Sequence, residues 1–499
     1  MNHDVETKKM YLIDHYNLHD ADIQDIHYES ANFNGHSAVY LKITLKNKPL
    51  CCPECGYGFP KIKGYTEKRI SYTFPTGPDT KLIYRARRYR CPVCGKTYYE
   101  PSPFVFKKMR ISMKTVLAIL EELRSYNVTY SSVAKRYGIS VTSVVSIFDQ
   151  HMQVSRKKLP KYICLDEVYA IRTPGSKYVC MILDFEKQVP VDILPNRFKK
   201  EMLDYFMMIP LEERKKVEMV CFDMYPTYRD IVKIVFPNAL GVVDHFHVCK
   251  EFYHQLDTVR KRIMNRRKRL KEELKQEVEA FKTDFKDNNY EMDKYYLELK
   301  KKYRKYDDEY YLLKKFNWLL RHNEESFVKN GETKKYNKHF MKEMSYRDML
   351  DILLECDPAL TEAMSLKRGL TEIYERSDYE NGHKELSELI ARFHGSSISE
   401  MRRFGNTLRT WKNEIVNSFI RISKSYRVLE DGDVCIQDHR MHNGIIENRN
   451  KIIKCLKHNA NGFVNWQRFR NRAMYVLDPE IQPSAEPIYS SKAVPKQKD

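Results

Sequence analysis

Two cysteine pairs constrain the N-terminal part of this chain more than any other feature of its sequence. Cys52-Pro-Glu-Cys55-Gly and Cys91-Pro-Val-Cys94-Gly share one pattern, in which a tight turn aims two thiolates at one ion and the glycine permits the turn. Two such turns supply four sulfur ligands, a set that suits tetrahedral zinc. We therefore predict one structural Zn²⁺ held by Cys52, Cys55, Cys91 and Cys94, in preference to two redox pairs or incidental thiols. Cys51 is a neighbour that could compete as a ligand.

Composition narrows the class of protein. Twelve cysteines in 499 residues are too few for a disulfide scaffold, which favours a reducing compartment. The start, MNHDVETKKM, lacks the apolar segment of a signal peptide, and no apolar run approaches the roughly 18 residues of a membrane span. We therefore expect no export and no membrane insertion. The net charge of +20 favours a polyanionic partner, with nucleic acid first and an anionic membrane surface second.

Residues 1–105 are predicted to form a β-rich module around the zinc site. Residues 28–45 have the pattern of a hairpin that turns at Asn34-Gly35, and a strand from Leu82 to Tyr89 leads into the second cysteine pair. This strand is rich in arginine and tyrosine, which predicts contacts with DNA phosphates. The alternative is a solvated edge strand. The predicted DNA-contacting residues of the strand are Arg85, Arg87, Arg88 and Arg90.

Residues 106–155 are predicted to form a helix-turn-helix domain, which could also be an ordinary helical hairpin. Ala134 is small where two helices would cross, Gly138 sits at the turn, and Ser140 can cap the second helix. An earlier helix, Lys114 to Ser125, supplies the third member. The predicted inward face carries Val133, Tyr137, Ile139, Val144 and Ile147. Ser140, Thr142, Ser143 and Ser146 lie at the start of the second helix, where base edges would be met. That helix lacks arginine, so its affinity would come from flanking cations such as Lys135 and Arg136.

After Pro160, short apolar runs alternate with helical stretches, which suggests an α/β layer. Asp166 and Asp223 each follow such a run, and adjacent parallel strands bring such ends together. Glu447 begins a polar helix whose spacing places Asn450 and Lys454 on the same face. Two strand-end aspartates and a helical glutamate are what a two-metal phosphoryl-transfer site needs, since oxygen ligands hold two Mg²⁺ about 4 Å apart.

Other assignments of these carboxylates remain open from the residues alone. The chain has 67 acidic residues, most of which would be solvated, and Asp184 and Asp244 follow apolar runs in the same way. From about residue 250 to 435 the strand signal fades, and we expect no strand after it. The basic runs Arg260–Arg262 and Arg266–Arg269 lie in this helical stretch, where they could follow a DNA backbone or form a solvated helical face.

Taken in order, these motifs resemble the DDE transposases of the ISL-three insertion-sequence family. Leu165-Asp166-Glu167 is similar to the first acidic motif of that family, and Phe222-Asp223-Met224 followed by Tyr228 is similar to the second. The segment 243–248 resembles its Asp-x-Phe-His signature. Further matches are Trp411, Ile415, the block from Glu447 to Lys454, and Gly462-Phe463. The resemblance covers about 50 to 477; Asn448 and Asn461 depart from the usual Gly and Tyr.

The resemblance implies a multidomain α/β protein with a ribonuclease-H-like core. The implied boundaries are 156–250 for the first part of the core, 251–435 for a long helical insertion, 436–478 for the last part with the Glu helix, and 479–499 for a disordered tail. Asp166, Asp223 and Glu447 would be the catalytic ligands of two Mg²⁺ or Mn²⁺ ions. Asp244, His245, His247, Asn450 and Lys454 would stand beside the site. His245 and His247 would share one strand face, and a structural role is favoured over contact with phosphate or metal.

The implied function is that of a transposase. It would bind the inverted-repeat ends of its element, hydrolyse a phosphodiester there and join the freed 3′-hydroxyl to target DNA, acting as a homodimer or higher oligomer on DNA. The resemblance also implies a cytoplasmic bacterial protein associated with the nucleoid. The rival interpretation is a catalytically silent DNA-binding regulator derived from a transposase, and a third is a metal-dependent nuclease without strand transfer.

Overall fold

The computed structural model of the chain describes most of its length. The described residues are 9–10, 13–14, 16, 18–19, 22–33, 36–48, 50–71, 81–106, 109–173, 175–284, 290–322, 333–428 and 434–488.

The N-terminal part is built on a five-stranded sheet. Its strands are β1 (Ile23–Phe33), β2 (His36–Leu45), β3 (Lys61–Ser71), β4 (Lys81–Arg90) and β5 (Thr97–Tyr99). The order is β1-β2-β4-β3, with β5 paired to β4. The predicted hairpin is confirmed as the antiparallel pair β1–β2, although it begins earlier, at Ile23; its turn, Asn34-Gly35, lies outside the described residues. The predicted arginine-rich strand is confirmed as β4, but it pairs on both sides, which excludes the alternative of an edge strand.

Three helices follow, as predicted. They are α1 (Met113–Glu122), α2 (Tyr130–Tyr137) and α3 (Val141–His151). Gly138 ends α2 in the left-handed conformation, with φ of 61°, a conformation that glycine adopts without the steric cost of a side chain. The side chain of Ser140 accepts a 3.1 Å hydrogen bond from the backbone N–H of Ser143, which confirms the predicted cap. Val133, Val144 and Ile147 are buried in the shared core, where Tyr475 from the C-terminal end of the chain joins them.

A second five-stranded sheet occupies the middle of the chain. Its strands are β6 (Tyr162–Thr173), β7 (Ser176–Asp184), β8 (Pro190–Leu194), β9 (Met219–Phe222) and β10 (Leu240–Val243), in the order β10-β9-β6-β7-β8. The first three form an antiparallel meander, and β9 and β10 run parallel to β6. Three helices belong to this region: α4 (Lys199–Met207), α5 (Leu211–Arg214) and α6 (Pro226–Val235). The fold is therefore mixed α/β.

The rest of the chain is mainly helical. In order come α7 (His245–Asp284), α8 (Tyr290–Lys315), a 3-10 turn (Asn317–Leu320), β11 (Lys335–Asn337), β12 (Lys342–Met344), α9 (Tyr346–Glu355), α10 (Pro358–Arg376), α11 (Tyr379–His394), α12 (Ser399–Thr410), α13 (Lys412–Asn417), β13 (Arg421–Val428), β14 (Val434–Arg440), α14 (Gly444–Asn459) and α15 (Trp466–Leu477). Strands interrupt the stretch from 250 to 435 that we predicted to be helical, since β11 pairs with β12 and β13 with β14. Of these only β14 extends past residue 435, and there the expectation of no further strand was wrong. Each pair is a two-stranded ribbon with mixed polar composition, so no continuous apolar run marks it in the sequence.

The central sheet lies between two apolar layers. One face packs in a large core against α6 and the helices from α7 to α13, and the other face packs against α14 and α15. The long helical segment thus covers one side of the sheet while the last two helices cover the opposite side.

The C-terminal segment was predicted to be disordered from residue 479, and this was wrong for its first ten residues. Arg124 donates hydrogen bonds to backbone carbonyls at Pro479 and Ile481, and the backbone N–H groups of Ser484 and Ile488 bond to carbonyls of α3. The side chain of Arg124, just after α1, and the backbone of α3 thus hold this segment. Residues 489–499 lie outside the described residues.

Candidate active site and metal-binding cluster

The parallel register of two strands determines where the first two carboxylates lie. β9 pairs with β6 so that Ile163 lies opposite Val220 and Cys164 opposite Cys221. Two residues further, the same register brings Asp166 beside Asp223, just past the end of β9. The prediction that Asp166 ends a strand was wrong, because β6 continues to Thr173. The register brings the two aspartates together, and only Asp223 lies past a strand end because β9 is the shorter strand.

Helix α14 brings the third carboxylate and an amide to the same place. Asn450 donates a 2.8 Å hydrogen bond from Nδ2 to Oδ2 of Asp166. Glu447 lies one turn earlier on the helix, and its Oε1 is 4.0 Å from Nε2 of His247. The start of the helix is held against β6, since Asn443 Nδ2 donates to the carbonyl of Leu165 at 3.4 Å. The predicted neighbour Lys454 lies one turn beyond Asn450 and is exposed.

The electrostatics of the site favour protonated carboxyls when no cation is bound. Burial raises the pKa of Asp166 to about 7, and the charges of Glu167, Asp223 and Glu447 add to the rise. Burial also raises the pKa of Asp223 to about 6, with Glu167 adding to it and Arg197 and Lys250 opposing it. Like charges held together in a partly dry site repel each other, and a divalent cation would relieve that repulsion.

Several buried polar atoms at this site have no hydrogen-bond partner in the described part of the chain. They are Oδ1 of Asp223, Oδ1 of Asn450 and Nε2 of His247. Buried polar atoms are nearly always bonded, so unpaired oxygens next to carboxylates fit ligands of a hard cation. The three carboxylates do not approach one another as closely as the cysteines described below, all of whose ligand atoms lie within 4.8 Å of one another. Ligands distributed around two ions about 4 Å apart need not approach so closely.

Glu167 and Arg197 belong to this region, although we assigned neither of them a role from the sequence. The side chain of Glu167 forms an ion pair with Arg197 and accepts a 2.9 Å hydrogen bond from the hydroxyl of Tyr228. Arg197 also lies over the ring of Tyr225, with 4.9 Å to its centroid. The available sequence signal was the adjacency of Glu167 to Asp166. Nothing in the local sequence pointed to Arg197.

Asp244, His245 and His247 stand at the start of α7 and not on a strand. The prediction that the two histidines share a strand face was therefore wrong. The backbone carbonyl of Asp244 accepts hydrogen bonds from His247 and Val248, which form the first turn of the helix. His245 packs on Tyr374, with ring centroids 3.9 Å apart, and its Nε2 lies 2.9 Å from Sγ of Cys249. His247 alone faces Glu447, and burial lowers its pKa to about 4.

The remaining strand-end aspartate lies elsewhere. Asp184 ends β7, which is antiparallel to β6, and it pairs with Ile163 near the start of β6. Its Oδ1 accepts hydrogen bonds from the backbone N–H groups of Glu186 and Lys187, so it stabilises the turn into β8. Asp184 therefore has a local structural role at the other edge of the sheet.

The four predicted cysteines form one cluster, and Cys51 is not part of it. Sγ of Cys52 lies 3.6 Å from Sγ of Cys94, and Sγ of Cys55 lies 3.6 Å from that of Cys91. Four thiolates about 2.3 Å from one zinc ion would lie about 3.8 Å apart in a tetrahedron, so the spacing fits zinc. Both turns are closed by glycines with positive φ, of 75° and 74°. Backbone N–H groups, that of Cys94 foremost, lower the pKa of Cys91 to about 7, which favours the thiolate that binds metal.

The arginines of β4 differ in what they can contact. Arg87 is buried, forms a 3.2 Å ion pair with Glu100, and donates to Gln24 and to the carbonyl of Leu45. A guanidinium with these internal partners cannot reach a phosphate, so the predicted DNA contact of Arg87 was wrong. Arg85 and Arg90 are exposed and Arg88 is half-buried. These three remain candidates for contact with DNA.

The predicted base-contacting residues stand at the start of α3. Thr142 and Ser146 are exposed, whereas the side chain of Ser143 is half-buried. Lys135 is exposed, but Arg136 forms a 2.5 Å ion pair with Glu122. The outer face of α3 also borders a cleft whose walls include Arg468 and Ile488, so the C-terminal part of the chain lies beside this face.

None of the helices in the described ranges combines the length and the apolar character that crossing a bilayer requires.

Comparison with known proteins gives two matches. The family model described as Transposase, for the DDE transposases of ISL-three elements, matches residues 163–427 and 431–473, more than half of the chain. The transposase for insertion sequence element IS1001 of Bordetella parapertussis is 23% identical over 228 residues. That alignment covers 45% of this chain and 55% of the relative, so the chain spans about half the length of that protein. The family match includes both aspartates, α14, most of α15, and the helical segment that precedes α14. This chain belongs to the ISL-three family of DDE transposases.

Proposed function

We propose that this protein is a transposase that binds the inverted-repeat ends of its insertion sequence, cleaves DNA there and joins the freed ends to target DNA. One observation carries the proposal beyond family membership. Asp223, just past the end of β9, lies near Asp166 on the neighbouring strand β6, and Asn450 bonds the helix of Glu447 to Asp166. Carboxylates that converge in this way suit phosphoryl transfer by a two-ion mechanism.

We assign the central sheet, together with α14 and α15, to a ribonuclease-H-like core. In this assignment, the helices from α7 to α13 form an insertion that enters after β10 and returns before α14. Support comes from the two apolar layers on either side of the sheet and from the position of the carboxylates at one edge. The chain separates Asp166 from Asn450 by 284 residues, yet the fold brings them into contact.

The chain contributes ligands, orientation and charge to the reaction. Two Mg²⁺ or Mn²⁺ ions held by Asp166, Asp223 and Glu447 would activate the attacking oxygen and stabilise the leaving oxygen of an in-line displacement. The orientation of Asp166 is fixed at both oxygens, because Oδ1 accepts from the backbone N–H of Glu167 at 2.8 Å and Oδ2 accepts from Asn450. Within the described ranges Oδ1 of Asp223 has no hydrogen-bond partner, so it can serve as a cation ligand.

The basic groups near the site offset the charge of the ligands only in part. His247 faces Glu447, but with a pKa of about 4 it is uncharged at neutral pH and does not compete with a cation. Arg197 is engaged with Glu167. Lys250 is exposed on the first turns of α7 and lowers the pKa of Asp223 through its charge, so it can face a DNA phosphate.

We assign DNA binding to the N-terminal half. The cysteine cluster would hold one zinc ion that fixes the two turns of the β-sheet module, and α2 and α3 would act as a helix-turn-helix. Thr142 and Ser146 would contact base edges, and Lys135, Arg85, Arg88 and Arg90 would contact phosphates. The protein would act as a homodimer or higher oligomer on the two ends of its element.

Three isosteric substitutions test the catalytic assignment. Asp166→Asn, Asp223→Asn and Glu447→Gln each remove a metal-binding charge and keep the size of the side chain. Each should abolish Mg²⁺-dependent cleavage and joining of a labelled element end, and their effects should not add because the ligands act as a unit. Binding of the end should remain nearly intact.

The matched control is Asp184→Asn, a strand-end aspartate at the other edge of the sheet, which should keep its activity. Cleavage by the Glu447→Gln variant at the wild-type rate would refute the placement of the third ligand. Specific binding of the ends by a wild-type protein that never cleaves them, with Mg²⁺ or Mn²⁺ present, would favour the silent regulator.

A further inference from the structure

The helical segment between β10 and α14 carries a first basic run on α7, which joins Arg260–Arg262 to Arg266–Arg269, and a second basic run on α8. They differ in how many of their charges are already paired. Most cations of the first run pair with acidic residues, although Arg266 and Lys268 are exposed and make no ion pair with any described residue. Arg260 is buried and pairs with Asp257 at 2.8 Å, and Arg267 pairs with Glu309 at 2.5 Å. Arg262 lies 3.3 Å from Glu400. These cations hold α7 against its neighbours, and the paired ones are not available to a polyanion.

The second run lies on α8, from Lys300 to Lys305, and it is open. Lys300, Lys301, Lys302 and Arg304 are exposed and make no ion pair with any described residue. Together with Lys305 and with Lys342 from β12, they line an open groove of about 820 Å³. Six cations therefore face one groove.

The acidic residues of the same groove neutralise only part of this charge. Glu309 is buried and shared between Arg267 and Lys305, whose Nζ lies 3.9 Å from Oε1 of Glu309. Asp308 lies 2.7 Å from Nε2 of His339, and three acids stand against six cations. Glu355 is the one acid lining the groove for which the described part of the chain shows no such partner. The groove is therefore positively charged as a whole, and it complements a polyanion.

The distance between this groove and the candidate active site indicates that the polyanion is duplex DNA. α7 leaves the site at His247, which faces Glu447, and runs beside α8, where Lys271 pairs with Asp307 at 2.8 Å. At 1.5 Å per residue, the helix axis between His247 and Lys271 spans about 36 Å. This is roughly one turn of duplex DNA.

We propose that this groove, lined by Lys300, Lys301, Lys302, Arg304, Lys305 and Lys342, binds the phosphate backbone of duplex DNA about one helical turn from the bond that is cleaved. The inference rests on the proposed function, because that function supplies the DNA. The contact is to phosphates, so it is independent of sequence and lies on DNA beyond the part that the helix-turn-helix would recognise.

Duplexes with short and long extensions test the groove in the full-length protein. One duplex ends about five base pairs beyond the cleavage point and the other extends about 25 base pairs further, a length that spans the distance above. The wild type should bind the long duplex more tightly and with a steeper salt dependence. The variant Lys301→Gln/Lys302→Gln/Arg304→Gln should lose that gain, with a slope of log affinity against log salt lower by roughly 0.9 per lost phosphate contact.

Two further variants keep the result interpretable. Lys301→Arg/Lys302→Arg retains the charge and should retain the gain. Lys200→Gln/Lys216→Gln/Lys233→Gln removes the same charge from exposed positions near α4 to α6 and should also retain the gain.

A triple glutamine variant of the groove that keeps the full gain would overturn the proposal, as would an equal loss in the control set. In both cases the protein would still bind the short duplex, so the proposed function would stand. A wild-type protein that binds neither duplex would overturn both.

Discussion

Asn450 and Asp166 are joined by a 2.8 Å hydrogen bond from Nδ2 to Oδ2 across 284 residues of chain. The bond links the helix of Glu447 to the strand of Asp166. In the sequence, this strand precedes the long helical segment and this helix follows it. Asn450 is buried, and its Oδ1 has no hydrogen-bond partner among the described residues. Apolar packing holds the helix on the sheet, and this bond fixes the orientation of the Asp166 carboxylate relative to the helix.

Loss of this contact should reduce catalysis without reducing DNA binding. Asn450→Ala removes the group that orients Asp166, and loss of a residue that orients a metal ligand typically costs 10–100-fold in metal affinity or activity. We expect a higher Mg²⁺ requirement and slower cleavage of the element end, measured across a Mg²⁺ titration. Asn448→Ala, at an exposed position of the same helix, is the control and should behave as the wild type. A wild-type Mg²⁺ titration curve for Asn450→Ala would show that the bond has no role in the site.

Asp166→Asn should raise the stability of the metal-free protein at alkaline pH. Burial raises the pKa of Asp166 from 3.8 to about 7, so the protonated carboxyl contributes stability that is fully present below about pH 3.8, falls as the pH rises above that value, and is lost above about pH 7. The shift corresponds to roughly 4 kcal/mol at most. In EDTA at pH 8.5 the variant should unfold at a higher temperature than the wild type. At pH 5.5 the difference should be about half as large, and the two should unfold at nearly the same temperature only below about pH 4.

Addition of Mg²⁺ at pH 8.5 should reverse the order in this experiment, because the wild type alone keeps all three carboxylates. Thermal unfolding followed by circular dichroism in both conditions is the measurement. If the variant unfolded below the wild type in EDTA at pH 8.5, the repulsion inferred among the carboxylates would be absent.

The cysteine cluster should hold one zinc ion per chain. Cys91→Ser removes one of four ligands, so zinc should be lost and the N-terminal sheet should unfold, with weaker binding of DNA ends. Metal analysis of protein purified without added metal gives the content directly. Cys51→Ser is the matched control, because Cys51 lies outside the cluster, and it should keep its zinc. Wild-type protein that is folded and contains no zinc would refute the assignment.

The sequence predicted the parts of this site that depend on local pattern. Apolar runs followed by Asp166 and Asp223, and the cysteine turns, carry their own signal, and both sets come together in the structure. Where the outcome depended on distant partners, the sequence was insufficient. Burial of Arg87 depends on Glu100 and on Gln24, which is 63 residues away in the chain. No periodicity within β4 shows which arginine these residues will bind.

The start of α7 shows a second limit of the sequence. Alternation in the segment 243–248 has the period of a strand, and it led to the wrong expectation for His245 and His247. In the structure the strand ends at Val243 and a 40-residue helix begins two residues later. Asp244, a residue type that favours the start of helices, was the local signal for that boundary.

Arg87 and Arg88 are neighbours in β4, and substitutions of the two should have different consequences. Arg87→Gln breaks a buried ion pair with Glu100, which keeps the 2.8 Å hydrogen bond from the backbone N–H of residue 87 but loses its charged partner. Loss of one partner of a buried pair typically costs about 3–5 kcal/mol, so the N-terminal sheet should lose stability. Arg88→Gln should leave stability near that of the wild type and weaken binding to all DNA sequences. The slope of log affinity against log salt should fall by about 1.

Thr142→Ala should instead change sequence preference, by about 1–3 kcal/mol per lost base contact. Thermal unfolding together with salt titrations on end and random duplexes separates the three. Equal effects of Arg87→Gln and Arg88→Gln on DNA binding, with no loss of stability in either, would restore Arg87 to the DNA-binding surface.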